Sequence, residues 1–389
     1  MHITHITDHH FFDPDHYSGT PYWMVKGLSR EENLQLHNIH ISVPQKLLPP
    51  LEELAFRCKQ WWSKYIQHAH LATDMHGRRA QHIAQHLQGR LALLKTDVIL
   101  TTTSPLSTAY LDTDIPIVYW TEGIYAGILA FYYSVFESHH TDTIWDAHNI
   151  THATLMKAKR LIFPTQWAAR TAVEYYGVSP DKIRIVPFGA NIAITHTRTD
   201  VENMIQARNK QCIKFLFVGK DWYRKGGDIV LDTLKQLYAA GHAVELTIVG
   251  AQPPSDEPLP SYVKCKGFIS KRNPQGIEKL KRLYQETHFL FLPSRAETFG
   301  IVFAEANAFG VPCITTNIGG IPDVVKDGIN GMRFPLESTT KQICDYIVNL
   351  MNNDAEYTEL ALSSFNEYQT RLNWQTACGK VKKLIAEII

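Results

Sequence analysis

Residues 291–335 read FLPSRAETFGIVFAEANAFGVPCITTNIGGIPDVVKDGINGMRFP, and this stretch decides the fold. An apolar run ends at Leu292–Pro293, a polar loop carries Glu297 to Gly300, and a helix pattern follows with Glu305 inside it. Ala304, Ala306 and Ala308 permit close packing of that helix on a sheet. Gly310 supplies a left-handed stop, and Pro312 bars continuation before a second apolar run. The pattern is strand, loop, helix, strand. Glu297 is thereby set on a loop at a strand's carboxyl end and Glu305 one to two turns into the helix. Backbone N–H groups near Gly300–Val302 belong to a helix start, where no intrahelical acceptor exists for them, and suit a phosphate oxygen.

Working outward, residues 215–228 read FLFVGKDWYRKGGD. A strand closes at Val218–Gly219, and Lys220, Arg224 and Lys225 precede the Gly226–Gly227 helix start. Three cations on one strand-to-helix loop suit a diphosphate, because glycine lets the backbone approach while Lys and Arg neutralise charge. Alone the motif is weak, since basic loops usually face water. The second half alternates strands at Lys214–Val218, Val244–Val249, Val263–Ile269, His288–Leu292, Pro312–Thr316 and Gly331–Phe334 with helices starting near Gly227, Pro274, Gly300, Ile321 and Ser338. The first half alternates more loosely, with apolar runs at Asp97–Thr102, Ile115–Trp120, Arg160–Thr165 and Ile183–Phe188. A polar break at Gly189–Asn209 separates the halves. Two successive β-α-β-α series predict an α/β protein of two doubly wound, parallel-sheet domains, with a small-molecule site in a cleft between them.

The two motifs together, FVGK then KGG, SRAETFG, EA, GGIPDVV and DGINGMRF, resemble the retaining glycosyltransferases of family 4, the group 1 transferases. The resemblance is dense over about Phe215–Pro335 and continues in Phe163–Ile192. Before Ala158 it thins to Thr7–Leu28, where Ser18–Gly19–Thr20 occupies a glycine-turn position. It implies the GT-B fold, two Rossmann-like domains facing across a cleft. The expected division is 1–192 on the acceptor side, 193–370 for the nucleotide sugar, and 371–389 as a helix crossing back to the first domain.

By that resemblance Glu297 contacts the transferred sugar near its reacting face, and Phe299, Gly300 and Ile301 present backbone N–H groups to sugar or diphosphate. Glu305 holds the ribose hydroxyls, and Lys225 with a basic neighbour clamps the diphosphate. The family commonly has Arg directly after the glycine; here Lys220 stands there and Arg224 is an extra candidate. Phe268 and Gly19 complete the substrate-contacting set. Glu122, just past the strand Ile115–Trp120, is the candidate for the reacting end, with a helix cap as its plainer reading. The implied activity is transfer of a sugar from a UDP- or GDP-type donor to a hydroxyl acceptor (glycan, lipid-linked or small molecule), without metal or cofactor. Epimerases of the same fold and a non-catalytic nucleotide-binding protein are the rivals.

Composition bounds these readings. The 389 residues carry 39 Lys+Arg against 38 Asp+Glu, which argues against a nucleic-acid wrapper. No apolar run approaches a membrane span, the N-terminus lacks a signal-peptide pattern, and six scattered cysteines form no CxxC pair. A cytosolic setting with reduced thiols is expected. Of 19 histidines, 17 lie at or before His196. The group His2, His5, His9 and His10 fits no usual zinc spacing, so loop and surface positions are expected. Asp13-Pro-Asp15 and Asp112-Thr-Asp114 echo a metal-binding DxD but read as loops.

Two aromatic segments stay open. Helix Leu51–Ala69 carries Trp61 and Trp62 beside Arg57, Lys59 and Lys64. That is either a weak peripheral membrane face for a lipid-linked acceptor or an aromatic core stripe with a solvated basic flank. Amphipathic helices in globular domains usually pack inward, which favours the stripe. Trp120, Tyr125, Tyr132 and Tyr133 suit a sugar platform, although tyrosines in such a run are mostly core.

Overall fold

A computed structural model describes residues 1–8, 10–41, 48–72, 76–102, 105–132, 137–209, 211–254 and 258–389. The chain divides into two units, Met1–Val186 with Cys378–Ile389, and Pro187–Ala377. Among the described residues no helix is long and apolar enough to cross a membrane.

The first unit holds a parallel sheet of β1 (His2–Thr7), β2 (Gln35–His40), β3 (Val98–Thr102), β4 (Ile117–Trp120), β5 (Arg160–Phe163) and β6 (Ile183–Ile185). The order is β2-β1-β3-β4-β5-β6. Strands β3, β4 and β5 are buried along their whole length, which is why they read as unbroken apolar runs rather than as alternation. Because β2 lies on one side of β1 and β3 on the other, the order reverses direction at β1/β3, and the loops leaving those strands diverge.

The second unit repeats the plan with β7 (Ile213–Gly219), β8 (Val244–Gly250), β9 (Val263–Cys265), β10 (Phe289–Leu292), β11 (Cys313–Thr316) and β12 (Gly331–Phe334). Its order is β12-β11-β10-β7-β8-β9, with β7 and β10 paired in parallel through Phe215 and Leu216. The loops after β7 and β10 are those carrying KDWYRKGG and SRAETFG, so both motifs open at the one switch point of this sheet. The two sheets with their helices form the GT-B architecture that the sequence suggests.

Several expectations need correction. The first two strands escape the apolar pattern because they are rich in His, Thr, Gln and Asn, and in β1 Thr4, His5 and Thr7 are themselves buried beside Ile3 and Ile6. The expected polar break contains a helix, Arg198–Ala207, started by a capping box between Thr197 and Asp200 and anchored by buried Val201 and Ile205. The units part at Val186–Pro187, earlier than 192, because residues 188–191 pack within the second unit. There Phe188 stacks on Trp374 at 5.5 Å, and Asn191 Oδ1 accepts the Trp374 indole N–H at 2.9 Å. The final helix, Trp374–Ala386, straddles the division. Its Trp374 belongs to the second unit, whereas Lys382 pairs with Glu31 and Glu387 with Arg160 in the first.

The helix expected over Leu51–Ala69 runs Pro50–Tyr65, and its aromatic stripe is not core. Trp61 and Trp62 are exposed, because Glu53, Phe56 and Ser63 occupy the inward arc instead. Trp120 and Tyr125 are buried, so the sugar-platform reading fails for them, while Tyr132 is half-buried and Tyr133 lies outside the described residues. Asp13 and Asp15 form a local turn in which Asp13 Oδ1 accepts the Asp15 N–H at 2.9 Å.

His5 departs from the expected surface placement, and His9 lies outside the described residues. His5 is buried in the middle strand region, with Nδ1 2.9 Å from Asn38 Oδ1 and Nε2 2.8 Å from Thr102 Oγ1. Burial lowers its pKa to about 4, against the opposing effect of the Asn38 hydrogen bond. The unfolded chain takes up this proton near the ordinary value of 6.5 and the folded chain only near 4, so folding stability falls as pH drops through that window. His288, lowered to about 3 by burial and by Arg208 and Lys214, acts with the same sign in the second unit. Denaturant midpoints measured from pH 7.5 to 4 are expected to fall with acidification, and His5→Gln is expected to flatten that slope; an unchanged slope would contradict the neutral buried imidazole.

Candidate functional site

Turns of the β7 and β10 loops hold the expected donor residues together. After β7, Gly226 adopts a left-handed conformation (φ 76°) and starts the helix Gly227–Ala239. A Cβ there would lie 2.1 Å from the carbonyl oxygen of Pro293, so only glycine lets the basic loop touch the loop after β10. Hydrogen bonds then lace the loops. The Arg295 N–H donates to the Arg224 carbonyl at 2.7 Å, and Arg224 Nη1 donates to the Ala296 carbonyl at 2.9 Å. Arg295 also holds Asp228 through paired contacts of 2.8 and 2.7 Å. Burial pushes the Asp228 carboxyl up, but the Arg295 bonds and charge outweigh it and hold it below the usual range.

At the centre of this lacing Lys225 Nζ donates to Glu297 Oε2, both side chains being buried. The attraction between the two offsets part of the desolvation that burying both side chains costs. Glu297 also ties the following segment, its carbonyl accepting the Gly320 N–H at 3.0 Å. Phe299 is buried 5.3 Å from Phe188, and Gly300 (φ 80°) caps the short helix Ile301–Asn307 with no side-chain cap. Ile301 is the first residue of that helix and is buried.

Glu305 is fully buried on the same helix. One oxygen accepts from Lys271 Nζ, and the other accepts from the Tyr284 hydroxyl at 3.1 Å. Burial, then the Glu305 charge, raise Tyr284 well above its ordinary value, so it stays a donor. Lys220 is exposed and sits over the exposed Phe268 ring at 5.1 Å. Of the three cations, Lys225 therefore meets a carboxylate, Arg224 meets the β10 loop, and Lys220 meets an aromatic face.

The remaining two candidates, Gly19 and Glu122, belong to the first unit. Gly19 (φ 87°) begins the helix Thr20–Leu28, and a Cβ would lie 2.6 Å from the Pro14 carbonyl oxygen. Tyr17 and Ser18 before it also have positive φ, 51° and 57°, an uncommon conformation for side-chain-bearing residues that marks a constrained turn. Glu122 lies near Tyr17; its charge, then burial, push the Tyr17 phenol well above the usual range. Around the same strand ends His10 stacks on His40 at 4.8 Å and meets His16 at 5.6 Å.

Sequence reading missed Lys271, Tyr284, Arg295 and Asp228. Arg295 and Asp228 were present inside the two quoted motifs, where the charge complement of SRAE and KGGD signals a pair. Lys271 and Tyr284 are distant in sequence from Glu305, and only the fold of the loop Lys266–Arg272 brings the lysine in.

Residues 212–353, which lie within the second unit, match the model of the family described as "Glycosyl transferases group 1". A D-inositol 3-phosphate glycosyltransferase of Nocardia farcinica is 30% identical over 192 residues, 46% of this chain and 42% of that protein. An uncharacterised glycosyltransferase of Methanocaldococcus jannaschii is 29% identical over 181 residues, 44% of this chain and 48% of the relative. The matched stretches thus span about half of these relatives' own lengths. Among solved structures, sucrose-phosphate synthase from Thermosynechococcus elongatus superposes with a TM-score of 0.70 at 15% identity, covering 100% of this chain and 99% of that one. Anabaena HepE in complex with UDP and glucose gives a TM-score of 0.63 at 16% identity, covering 99% and 100%. These likenesses are to GT-B folds.

Lys225→Met leaves the buried Glu297 carboxylate without its cation and is expected to cost about 3 kcal/mol or more of stability. The double variant Lys225→Met/Glu297→Gln removes both charges and is expected to recover much of that loss. Urea titration of the three variants checks it; an additive double variant would mean that the two groups are not coupled in the folded chain.

Proposed function

We propose that the chain is a retaining glycosyltransferase that moves a sugar from a UDP- or GDP-type nucleotide diphosphate to a hydroxyl acceptor. The observation that carries this reading is the buried Lys225–Glu297 pair, cross-laced at the switch point of the second sheet beside the uncapped start of the helix Ile301–Asn307. In the reaction the bond between the sugar's anomeric carbon and the diphosphate oxygen breaks. The acceptor oxygen bonds to that carbon on the same face, and the acceptor's proton passes to the departing phosphate oxygen. Charge therefore develops on the diphosphate. Lys225, with Lys220 or Arg224, stabilises it from positions fixed before the donor arrives, which is where fixed dipoles and charges act most strongly.

Glu297 is held at the sugar end by the same lysine. Glu305 takes the ribose hydroxyls; a carboxylate accepts about four hydrogen bonds, so Tyr284 can remain in place while Lys271 shares or yields its oxygen. The positive charge supplied by the chain makes the proposed reaction independent of a metal ion, and activity should persist in a chelator. The HepE complex with UDP and glucose supports a UDP-type donor. The inositol-phosphate relative supports a small polyol as one acceptor class, with Glu122 and the Tyr17–Gly19 turn on the acceptor side.

A panel of UDP- and GDP-sugars is expected to raise the melting temperature for one nucleotide class, with the shift lost in Glu305→Gln. Turnover is expected to fall about 100-fold or more in Lys225→Met, as for loss of a group that stabilises transition-state charge. Proton NMR of the product should show the anomeric configuration of the donor. Epimerised donor with no acceptor-linked product would favour an epimerase, and a chain that no nucleotide stabilises would remove the enzyme reading.

A further inference from the structure

The helix Pro50–Tyr65 is built inside out for a globular protein. At 100° per residue, Leu51, Leu54, Trp61, Trp62 and Tyr65 fall within one arc of about 100°, and Ile66 extends it just beyond the helix end. All six are exposed, Leu51 at 83% and Trp61 and Trp62 at 57% and 53%. The opposite arc is buried although it is largely polar. Glu53 takes Arg79 Nη2 at 2.9 Å and Arg57 Nε at 3.0 Å, Ser63 Oγ donates to the Ala69 carbonyl at 2.8 Å, and Gln60 donates to the Leu71 carbonyl at 3.0 Å. Only Phe56 adds apolar burial there, in a small cluster with Leu48 and Leu71. Among the described residues the inward arc is the one packed on the fold, and the apolar arc is left exposed.

We propose that this outward face docks on an anionic lipid surface. Cations border the apolar arc on both sides. Lys64 and Arg57 lie along one margin, Lys64 with its ammonium 5.1 Å from the Tyr65 ring, and Lys59 lies along the other. Arg78 pairs with Glu52, Arg79 and Arg57 with Glu53, and Lys59 with Asp142, so that with Lys64 the cations outnumber the acids and leave the margins net positive. Lysine stems cover apolar surface while their heads reach outward, and Trp and Tyr rings favour the headgroup zone. Lys59 also pairs with Asp142, and one turn beyond Asp142 stands Trp145, 69% exposed.

The charge pattern separates a membrane from a second copy of the chain. In a two-fold pairing through this face, each cationic margin would meet the partner copy's cationic margin or apolar arc, since among the described residues the helix's own acids and Asp142 are already paired. Anionic headgroups meet both margins with the opposite sign, each basic residue near such a surface adding attraction. This inference is independent of the donor chemistry, because no residue of the second unit enters it.

The test uses the full chain in sedimentation with vesicles of phosphatidylcholine alone and of phosphatidylcholine mixed with phosphatidylglycerol. The chain is expected to bind the mixed vesicles, with a blue shift of tryptophan emission, and to bind the neutral ones several-fold less. Trp61→Ser/Trp62→Ser is expected to lower the vesicle partition constant at least about tenfold, and Lys64→Glu about fivefold or more, following the energies of interfacial anchoring. Both changes are at exposed positions, so circular dichroism, melting temperature and the nucleotide-induced shift should match the parent chain. Absence of binding to mixed vesicles, or equal binding by the double Trp variant, overturns the proposal. So does a lipid-free dimer in light scattering that Trp61→Ser/Trp62→Ser converts to monomer, which would assign the face to a second copy.

Discussion

The contact between Lys225 and Glu297 constrains the rest of the second unit. Two opposite charges are buried together, and their attraction is spent largely on desolvation. Such a pair adds little net stability. Its physical effect is positional: the loop after β7 and the loop after β10 must stay in register, or a charge is left unpaired in a dry setting. Glycine at 226 follows from this approach, since any side chain would collide with the Pro293 carbonyl. The Arg224–Ala296 and Arg295–Arg224 hydrogen bonds and the Arg295–Asp228 pair secure the same registration from the solvent side.

That registration depends in turn on sheet topology. β7 and β10 are neighbours although four elements of chain separate them, because the strand order reverses there. Their loops diverge at the carboxyl edge and leave backbone groups and charges converging on one place. The first sheet has its own reversal at β1/β3, and the strained Tyr17–Gly19 turn opens from β1. The architecture thus supplies each unit with one position where a ligand can approach backbone without disrupting a ladder. Side chains decide what happens at each.

Legibility in the sequence followed burial. β3, β4, β5, β7, β8 and β10 are largely apolar and were readable within a residue or two, as were the helix starts fixed by Gly227 and Pro274. β1 and β2 were not, because His5 is buried by hydrogen bonding to Asn38 and Thr102 and so looks polar in sequence while acting as core. The helix Arg198–Ala207 was hidden by the same cause in reverse: two buried residues, Val201 and Ile205, suffice to dock it, and the rest is solvated. For Pro50–Tyr65 the 3.6-residue period was right and its direction wrong. Periodicity identifies an apolar face but not which side of it the protein occupies; that was set by Glu53 finding Arg79, a contact no spacing rule reveals.

The same asymmetry explains why the quoted motifs located Glu305 but not its environment. A carboxylate with no exposure needs donors, and the fold draws them from Lys271, on the loop between β9 and the helix Pro274–Glu286, and from Tyr284 within that helix. Asn273 fixes the approach of the loop by accepting the Gly276 N–H at 2.7 Å, which starts the helix immediately after Lys271 and Arg272. Lys271 and the exposed Phe268 therefore belong to one short segment whose far end is pinned. Of the two partners of Glu305 the lysine stands on a loop and the tyrosine within a buried helix face, so the orientation of the carboxylate is set chiefly by Tyr284.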